Sequence, residues 1–323
     1  MRILSTGSYV PPQVFTNTDL ATMVDTTDEW IVSRTGIRER HITTDENTSD
    51  LAYKAAMRAL HNAGLTVQDI DLIVTGTCTP DAFFPGVSGM VQRRMGISCP
   101  AFDVNAACSG FVYALTVARG LMTTHPHDYK HVLVIGAEVL SKLINWQDRN
   151  TCVLFGDGAG AMILRNDDTL CIAHAYIDAK GDHDYALKSG GVQLNNPLLP
   201  HDMAWDDYRI QMQGQEVFKF AVRAVAQSID KTLRETGLAV SDIDYFVCHQ
   251  ANYRIIEKIA RDLGVSQDKF YMNLSRYGNT SAASIPLVLD DMNQTGLLRS
   301  GMKLLVAGFG AGLTWGSLLI QWP

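Results

Sequence analysis

Apolar positions along the chain follow two alternating patterns. Short contiguous apolar runs occur at Leu72–Val74, Val132–Ile135 and Tyr245–Val247, the signature of strands buried on both faces of a sheet. Between them lie longer segments whose apolar residues return every three or four positions. These are Leu51–Ala63, Phe111–Met122, Phe218–Thr236 and Ile285–Met292, and the spacing predicts helices with one face on a core. A further strand is predicted over Ala101–Val104. Helices alternating with buried strands predict an α/β fold.

The pattern repeats. Residues 64–74 read GLTVQDIDLIV and residues 237–247 read GLAVSDIDYFV, seven of eleven positions being identical. Chance identity is about one position in sixteen for average usage, so coincidence is a poor explanation. Each copy follows one of the predicted helices, and each half later contains a buried strand ending in glycine, HVLVIG at 131–136 and KLLVAG at 303–308. A glycine-bearing turn into another strand recurs as GDGAGAMIL at 156–164 and GLTWGSLLI at 312–320. The expectation is two related halves, residues 1–170 and 171–323, with a cleft between them that draws residues from both.

Composition narrows the function classes. The chain has 323 residues, 46% of them hydrophobic and 19% charged, ordinary for a globular protein and long for one hydrophobic core. A net charge of −7 argues against nucleic acid as the principal ligand. The start, MRILSTG, has no apolar run of signal-peptide length, and no stretch approaches the roughly 20 apolar residues that span a bilayer. Six cysteines, at 78, 99, 108, 152, 171 and 248, include no Cys-x-x-Cys pair. Zinc ribbons and dithiol redox motifs are therefore not expected, and the chain reads as cytoplasmic with reduced thiols.

The candidate chemistry begins at Cys108, in Asn105-Ala-Ala-Cys-Ser-Gly-Phe111. A thiol among small residues between a strand and a helix lies near unpaired amides and the positive end of the helix dipole, which favour a thiolate. Two readings stand at this point, a nucleophile and a buried structural cysteine. His249 follows the strand Tyr245–Val247 and has no histidine counterpart in the first half, so it is a site candidate or a packing residue. Asn279, in the small-residue turn before Ile285–Met292, is a site candidate or a helix cap. The glycine-rich stretches 308–316 and 156–160 match neither the Walker nor the dinucleotide pattern. The first suits backbone donors for an oxyanion or a tight turn, and the second fits a tight turn better.

Taken together, NAACSGF (105–111), HQAN (249–252), GNTSAAS (278–284), GFGAGLTWG (308–316) and DTTDEWIVSRTGIRERHI (25–42) resemble β-ketoacyl-ACP synthase III. These are the initiating condensing enzymes of type II fatty acid synthesis, within the thiolase superfamily, and the resemblance spans essentially the whole chain. It implies a thiolase-like fold in which two duplicated halves form a five-layered αβαβα sandwich, and a homodimer. Cys108 would accept the acyl group, and His249 and Asn279 would serve decarboxylative condensation. The backbone amides of Cys108 and Ala311 would form the oxyanion hole, alanine standing where relatives often have glycine. Coenzyme A contacts are implied for Thr26, Trp30, Arg34, Arg149, Gly214, Phe218 and Asn252. Lys219, Arg254 and Arg261 are implied to receive the acyl carrier protein. Phe83 and Phe84, in the loop 79–86, are implied to bound an acyl pocket across the dimer interface. Acyl-CoA and malonyl-ACP would be substrates, with no cofactor and no metal. Two alternatives accompany this reading: a starter-unit condensing enzyme or acyltransferase of polyketide metabolism, and a non-catalytic scaffold homologue, which the intact Cys-His-Asn set disfavours.

Overall fold

The computed structural model describes residues 1–167, 169, 171–182, 184–191 and 207–323. Its strands are, in order, β1 (Arg2–Tyr9), β2 (Val14–Thr16), β3 (Glu39–His41), β4 (Leu72–Gly76), β5 (Ala101–Val104), β6 (His131–Glu138), β7 (Gly158–Arg165), β8 (Ile172–Ala179), β9 (Leu187–Lys188), β10 (Gln211–Met212), β11 (Tyr245–Cys248), β12 (Lys303–Gly310) and β13 (Thr314–Gln321). Two sheets organise the molecule, one ordered β1-β7-β6-β4-β5 and the other β11-β12-β13-β8. The pairs β4/β6 and β11/β12 are parallel, whereas β7 and β13 run antiparallel to their neighbours in each sheet.

Both sheets are covered on both faces, as their unbroken apolar runs require. Alternate side chains leave a strand in opposite directions. Leu72 and Val74 therefore meet the helices Gly110–Thr124 and Ser284–Gln294, while Ile73 meets Thr48–Ala63 and Val87–Met95 on the other side. The second sheet divides likewise. Leu304 and Val306 face the same two inner helices, and Leu305 and Ala307 face Gly214–Thr236 and Tyr253–Leu263. The order is helix, sheet, helix, sheet, helix: the five-layered αβαβα sandwich. Side chains such as Phe111, Leu115, Val288 and Met292 fill the middle layer, each contributing about 1.5–3 kcal/mol through removal from water.

Two helices start earlier than their apolar stripes suggest, at Thr48 instead of Leu51 and at Gly214 instead of Phe218. Periodicity marks the buried stripe, whereas a helix begins with a polar capping turn. At Thr48 that turn is a capping box, in which the Asn47 side chain accepts from Thr48 N–H and the Asp50 carboxylate accepts from Asn47 N–H.

The duplication extends to the turns that enter the inner helices. Ala107–Ser109 and Ser281–Ala283 are matching 3₁₀ turns, each preceding an inner helix that starts at the next residue. Each turn begins on a residue with positive φ, Ala107 at 45° and Ser281 at 49°. In the first, Ala107 N–H donates to Asn105 Oδ1 (3.2 Å), and in the second, Ser281 N–H donates to Asn279 Oδ1 (2.9 Å). The same local motif thus presents Cys108 in one half and Asn279 in the other.

Candidate active site

Cys108, His249 and Asn279 line one cleft of about 420 Å³. Three different elements bring them together: the turn after β5, the residue after β11 and the turn before the helix Ser284–Gln294. The end of β12 joins them. A Cβ on Gly310 would sit 2.6 Å from Cys108 N, so only glycine lets that strand approach the Cys108 turn so closely. Ala311 follows directly, and its carbonyl accepts from the Thr314 hydroxyl at 3.0 Å.

Cys108 is 8% exposed. Burial pushes its thiol up to about 12, partly offset by the polar Ser281 hydroxyl beside it. This differs from the expected dipole-stabilised thiolate. The α-helix proper starts at Gly110, two residues beyond the sulfur, and the helix dipole acts only within the first turn. Glu138, fully buried behind the site, adds its negative charge to the same upward push. The resting Cys108 side chain is a thiol.

Glu138 is a hub that the sequence patterns did not single out. Its carboxylate accepts from the hydroxyls of Thr79 (2.6 Å), Ser281 (3.0 Å) and Thr77 (3.2 Å), and from Cys78 N–H and Sγ. It therefore ties the end of β6 to the segment after β4 and to the Asn279 turn. Burial raises its own pKa.

His249 is 1% exposed, and burial lowers its pKa to about 3. It is a neutral imidazole at physiological pH. The ring packs edge-on against Phe309 at 5.0 Å, and Nδ1 lies 2.6 Å from the Ser284 hydroxyl oxygen. Asn279 is held at three points. Its backbone N–H donates to Leu154 O (2.8 Å), its carbonyl accepts from Gly156 N–H (3.0 Å), and its side-chain oxygen accepts from Ser281 N–H. With Oδ1 occupied, the amide NH2 is the group left to act as a donor. Asn279 is the N-cap of neither element, Thr280 holding that position for the 3₁₀ turn and Ala283 for the helix, and its side chain instead closes an Asx turn onto Ser281 N–H. The 156–160 stretch, read from sequence as a packing turn, is also what fixes this asparagine.

Of the residues expected to contact coenzyme A, Trp30, Arg34, Arg149, Gly214, Phe218 and Asn252 line the cleft. Two guanidinium groups lie over the Trp30 ring, Arg34 at 5.0 Å and Arg149 at 4.8 Å from its centroid. That aromatic with its cations suits a planar, anionic ligand. Asn252 also caps the helix Tyr253–Leu263 and donates to Arg34 O at 3.1 Å. Thr26 is not among the lining residues, and its buried hydroxyl has no partner among the described residues. Lys219, Arg254 and Arg261 are exposed and outside the cleft. Phe83 and Phe84 are 77% and 87% exposed and do not line this chain's cleft. Phe155, Leu187, Met212, Phe220 and Leu313 line it without having been picked out by motif. Their signal in sequence is ordinary hydrophobicity, indistinguishable from core.

Comparison with known proteins gives the geometry a family. Residues 102–181 match the family described as 3-oxoacyl-[acyl-carrier-protein (ACP)] synthase III, and residues 233–322 match its C-terminal part. The chain is 49% identical over 323 residues to β-ketoacyl-[acyl-carrier-protein] synthase III of Clostridium acetobutylicum, covering all of this chain and 98% of that one. It is 46% identical over 336 residues to the Xanthomonas campestris protein of the same name, covering 99% of this chain and 98% of the relative. The crystal structure of the Thermus thermophilus synthase III superposes with a TM-score of 0.93 at 41% identity, covering 100% of this chain and 99% of that one. The priming β-ketosynthase of the R1128 polyketide pathway superposes at 0.91 with 34% identity, over 100% of this chain and 96% of that one. With its fold, its full-length relatives and its Cys-His-Asn cleft in accord, the chain belongs to the β-ketoacyl-[acyl-carrier-protein] synthase III family, the acyltransferases that perform the initiating condensation of fatty acid synthesis.

Proposed function

We propose that this chain condenses acetyl-CoA with malonyl-ACP, with Cys108, His249 and Asn279 as its catalytic residues. The observation that carries the reading is their convergence on one cleft with the Arg34–Trp30–Arg149 stack. Cys108 attacks the acetyl thioester, its proton passing to the sulfur of departing coenzyme A, and the acetyl group remains on Sγ. Malonyl-ACP then loses carbon dioxide, and the electron pair of the broken C–C bond forms an enolate at the thioester carbonyl. Neutral His249 and the Asn279 amide donate hydrogen bonds to that enolate oxygen. The enolate carbon attacks the acetyl-cysteine, whose oxyanion is held by the amides of Cys108 and Ala311; its collapse breaks the C–S bond and expels the Cys108 thiolate, which takes up a proton from solvent.

Trp30, Arg34 and Arg149, with Thr26, Gly214, Phe218 and Asn252, hold coenzyme A in this reading, and Lys219, Arg254 and Arg261 receive the acidic carrier protein. The exposed Phe83–Phe84 loop packs across a homodimer and keeps the acyl pocket short, which favours an acetyl primer. Two domains, 1–170 and 171–323, are supported by the origin of the two sheets in residues 2–165 and 172–321. A cytoplasmic location is supported by the substrates, and among the described residues no helix is long and apolar enough to cross a membrane.

The test is turnover of purified protein with malonyl-ACP against a panel of acyl-CoAs, with peptide mapping of the labelled acyl-enzyme. Acetyl-CoA should give the highest kcat/KM, with label on Cys108. Preference for a branched or longer primer refutes the acetyl assignment, and label on Cys152 or Cys248 with Cys108 clean refutes the nucleophile.

A further inference from the structure

The two halves contain an internal control for His249. Aligned through the repeat, His249 corresponds to Gly76, since GLTVQDIDLIV and GLAVSDIDYFV are each followed two residues later by these positions. Aligned through the matching 3₁₀ turns, Ser284 corresponds to Gly110, each being the first residue of its inner helix. In the first half the two positions are in backbone contact: a Cβ on Gly76 would lie 2.5 Å from the Gly110 carbonyl carbon. The second half places side chains at both positions, and those side chains are hydrogen-bonded to each other at 2.6 Å. Serine thus occurs at this place in the half that has the histidine, and glycine in the half that does not.

The direction of that hydrogen bond follows from counting donors and acceptors. Ser284 is 1% exposed, so its hydroxyl proton needs a protein acceptor. Among the described residues, the partners of Ser284 Oγ are His249 Nδ1 at 2.6 Å and Gln250 N–H at 3.4 Å. The second of these is a donor, which leaves Nδ1 as the acceptor for the hydroxyl proton. A neutral imidazole carries one proton, and if Nδ1 accepts, that proton is on Nε2.

We propose that Ser284 is a positioning residue for condensation: its hydroxyl donates to His249 Nδ1 and locks the tautomer with the proton on Nε2, making the ring a hydrogen-bond donor to the cleft and not a base. The inference rests on the reading of His249 as the donor to the enolate oxygen and adds what sets its polarity. In the opposite tautomer, Nε2 would turn a lone pair toward the developing enolate and repel it. A ring that is already protonated on Nε2 also cannot take the Cys108 proton. The tautomer therefore separates the half-reactions: acyl transfer proceeds without His249 as base, and decarboxylation depends on its donor.

Ser284→Ala tests this. Outer-shell partners that fix histidine tautomers at metal sites are worth about 10- to 100-fold in activity, and a loss of that size is expected in kcat for decarboxylation of malonyl-ACP. Single-turnover acetyl transfer from acetyl-CoA to Cys108 should stay at the parental rate, and Ser284→Thr, which keeps the hydroxyl, should recover most of the decarboxylation. Two-bond proton–nitrogen NMR of histidine-labelled protein gives a readout independent of turnover. His249 should show the Nε2–H pattern in the parent and lose its uniqueness in Ser284→Ala. A parental decarboxylation rate in Ser284→Ala, an unchanged tautomer pattern, or equal losses in both half-reactions would each overturn the proposal. If the parent itself failed to condense, the NMR pattern would still decide the tautomer, and the failure would lie with the assigned function alone.

Discussion

At the scale of single residues, burial decides the chemistry more than proximity to a helix end does. The Cys108 thiolate fraction should rise tenfold per pH unit for as long as pH stays below the thiol pKa. With that pKa raised by burial to about 12, alkylation of Cys108 by iodoacetamide should accelerate steadily from pH 7 through pH 10 with no plateau. A plateau below pH 9 would contradict the raised value. His249 is displaced in the other direction, to about 3. Its neutral form is therefore constant above pH 5, and the decarboxylation rate should show no inflection near the ordinary histidine value of 6.5. His249→Ala and Asn279→Ala should each keep acyl-enzyme formation and lose malonyl-ACP decarboxylation by a factor of about 10²–10³, the usual cost of one oxyanion donor. Decarboxylation by either variant at the parental rate would remove it from the mechanism. Cys108 and His249 stood out in sequence as candidates, a thiol among small residues and a histidine present in one repeat only, and Asn279, locally readable as a cap, was singled out by the family motif. Glu138 and Ser284 were not. A carboxylate in GAEVL and a serine in SAASI are commonplace locally, and their importance comes from what distant segments of the chain set beside them, Thr77–Thr79 and Ser281 beside Glu138 and His249 beside Ser284.

At the scale of elements, the turns are as informative as the helices and strands. The repeat GLTVQDIDLIV/GLAVSDIDYFV exposed the duplication because it covers a helix end, a capping turn and a strand start, all of which constrain side-chain type locally. It did not reveal that Asn105 and Asn279 occupy the same Asx turn, since only Asn, Ser and Ala recur between NAACSG and NTSAAS. The shared positive φ at Ala107 and Ser281 makes that equivalence visible. Nor did pattern distinguish a packing turn from a supporting one at 156–160. Phe155 bridges to Asn279, and Gly156 lies so close behind it that a Cβ would stand 2.3 Å from Tyr277 O. Backbone cannot yield as a flexible side chain does. Gly156→Ala should therefore destabilise the protein by about 1–3 kcal/mol, as forced overpacking does, and should reduce decarboxylation more than acetyl transfer. Denaturant unfolding with both half-reaction assays checks this, and an undisturbed variant would show that the Asn279 turn does not depend on that close approach.

At the scale of the whole molecule, the five layers follow from simple requirements. Two sheets with apolar runs each need cover on both faces, and a shared inner helix layer serves both while placing the starts of its two helices side by side. Sequence showed the duplication and the α/β class. The packing of Cys108 from one half against Ser281 from the other needed three dimensions. Recognition of a second macromolecule belongs to this scale too. The chain carries a net charge of −7, so in the proposed reaction an acidic carrier protein would be repelled on average and would need a local basic surface to dock. Arg254 is exposed at the start of the helix Tyr253–Leu263, and its guanidinium donates to Ser33 O at 2.8 Å, which holds it beside Trp30 and Arg34 on the neighbouring helix. Lys219 and Arg261 are each paired to an acid on their own helix, Glu216 and Glu257, and so present less free charge. Arg254→Glu should lower kcat/KM for malonyl-ACP about tenfold or more at low salt, with the deficit shrinking as ionic strength rises, because steering acts on encounter and is screened. Acetyl transfer from coenzyme A should change little. Lys219→Glu and Arg261→Glu should follow in the same direction with smaller losses. Steady-state kinetics at two salt concentrations reads the effect. An equal loss for both substrates would assign Arg254 to the tether with Ser33 instead, and no loss for either would return it to the solvated surface.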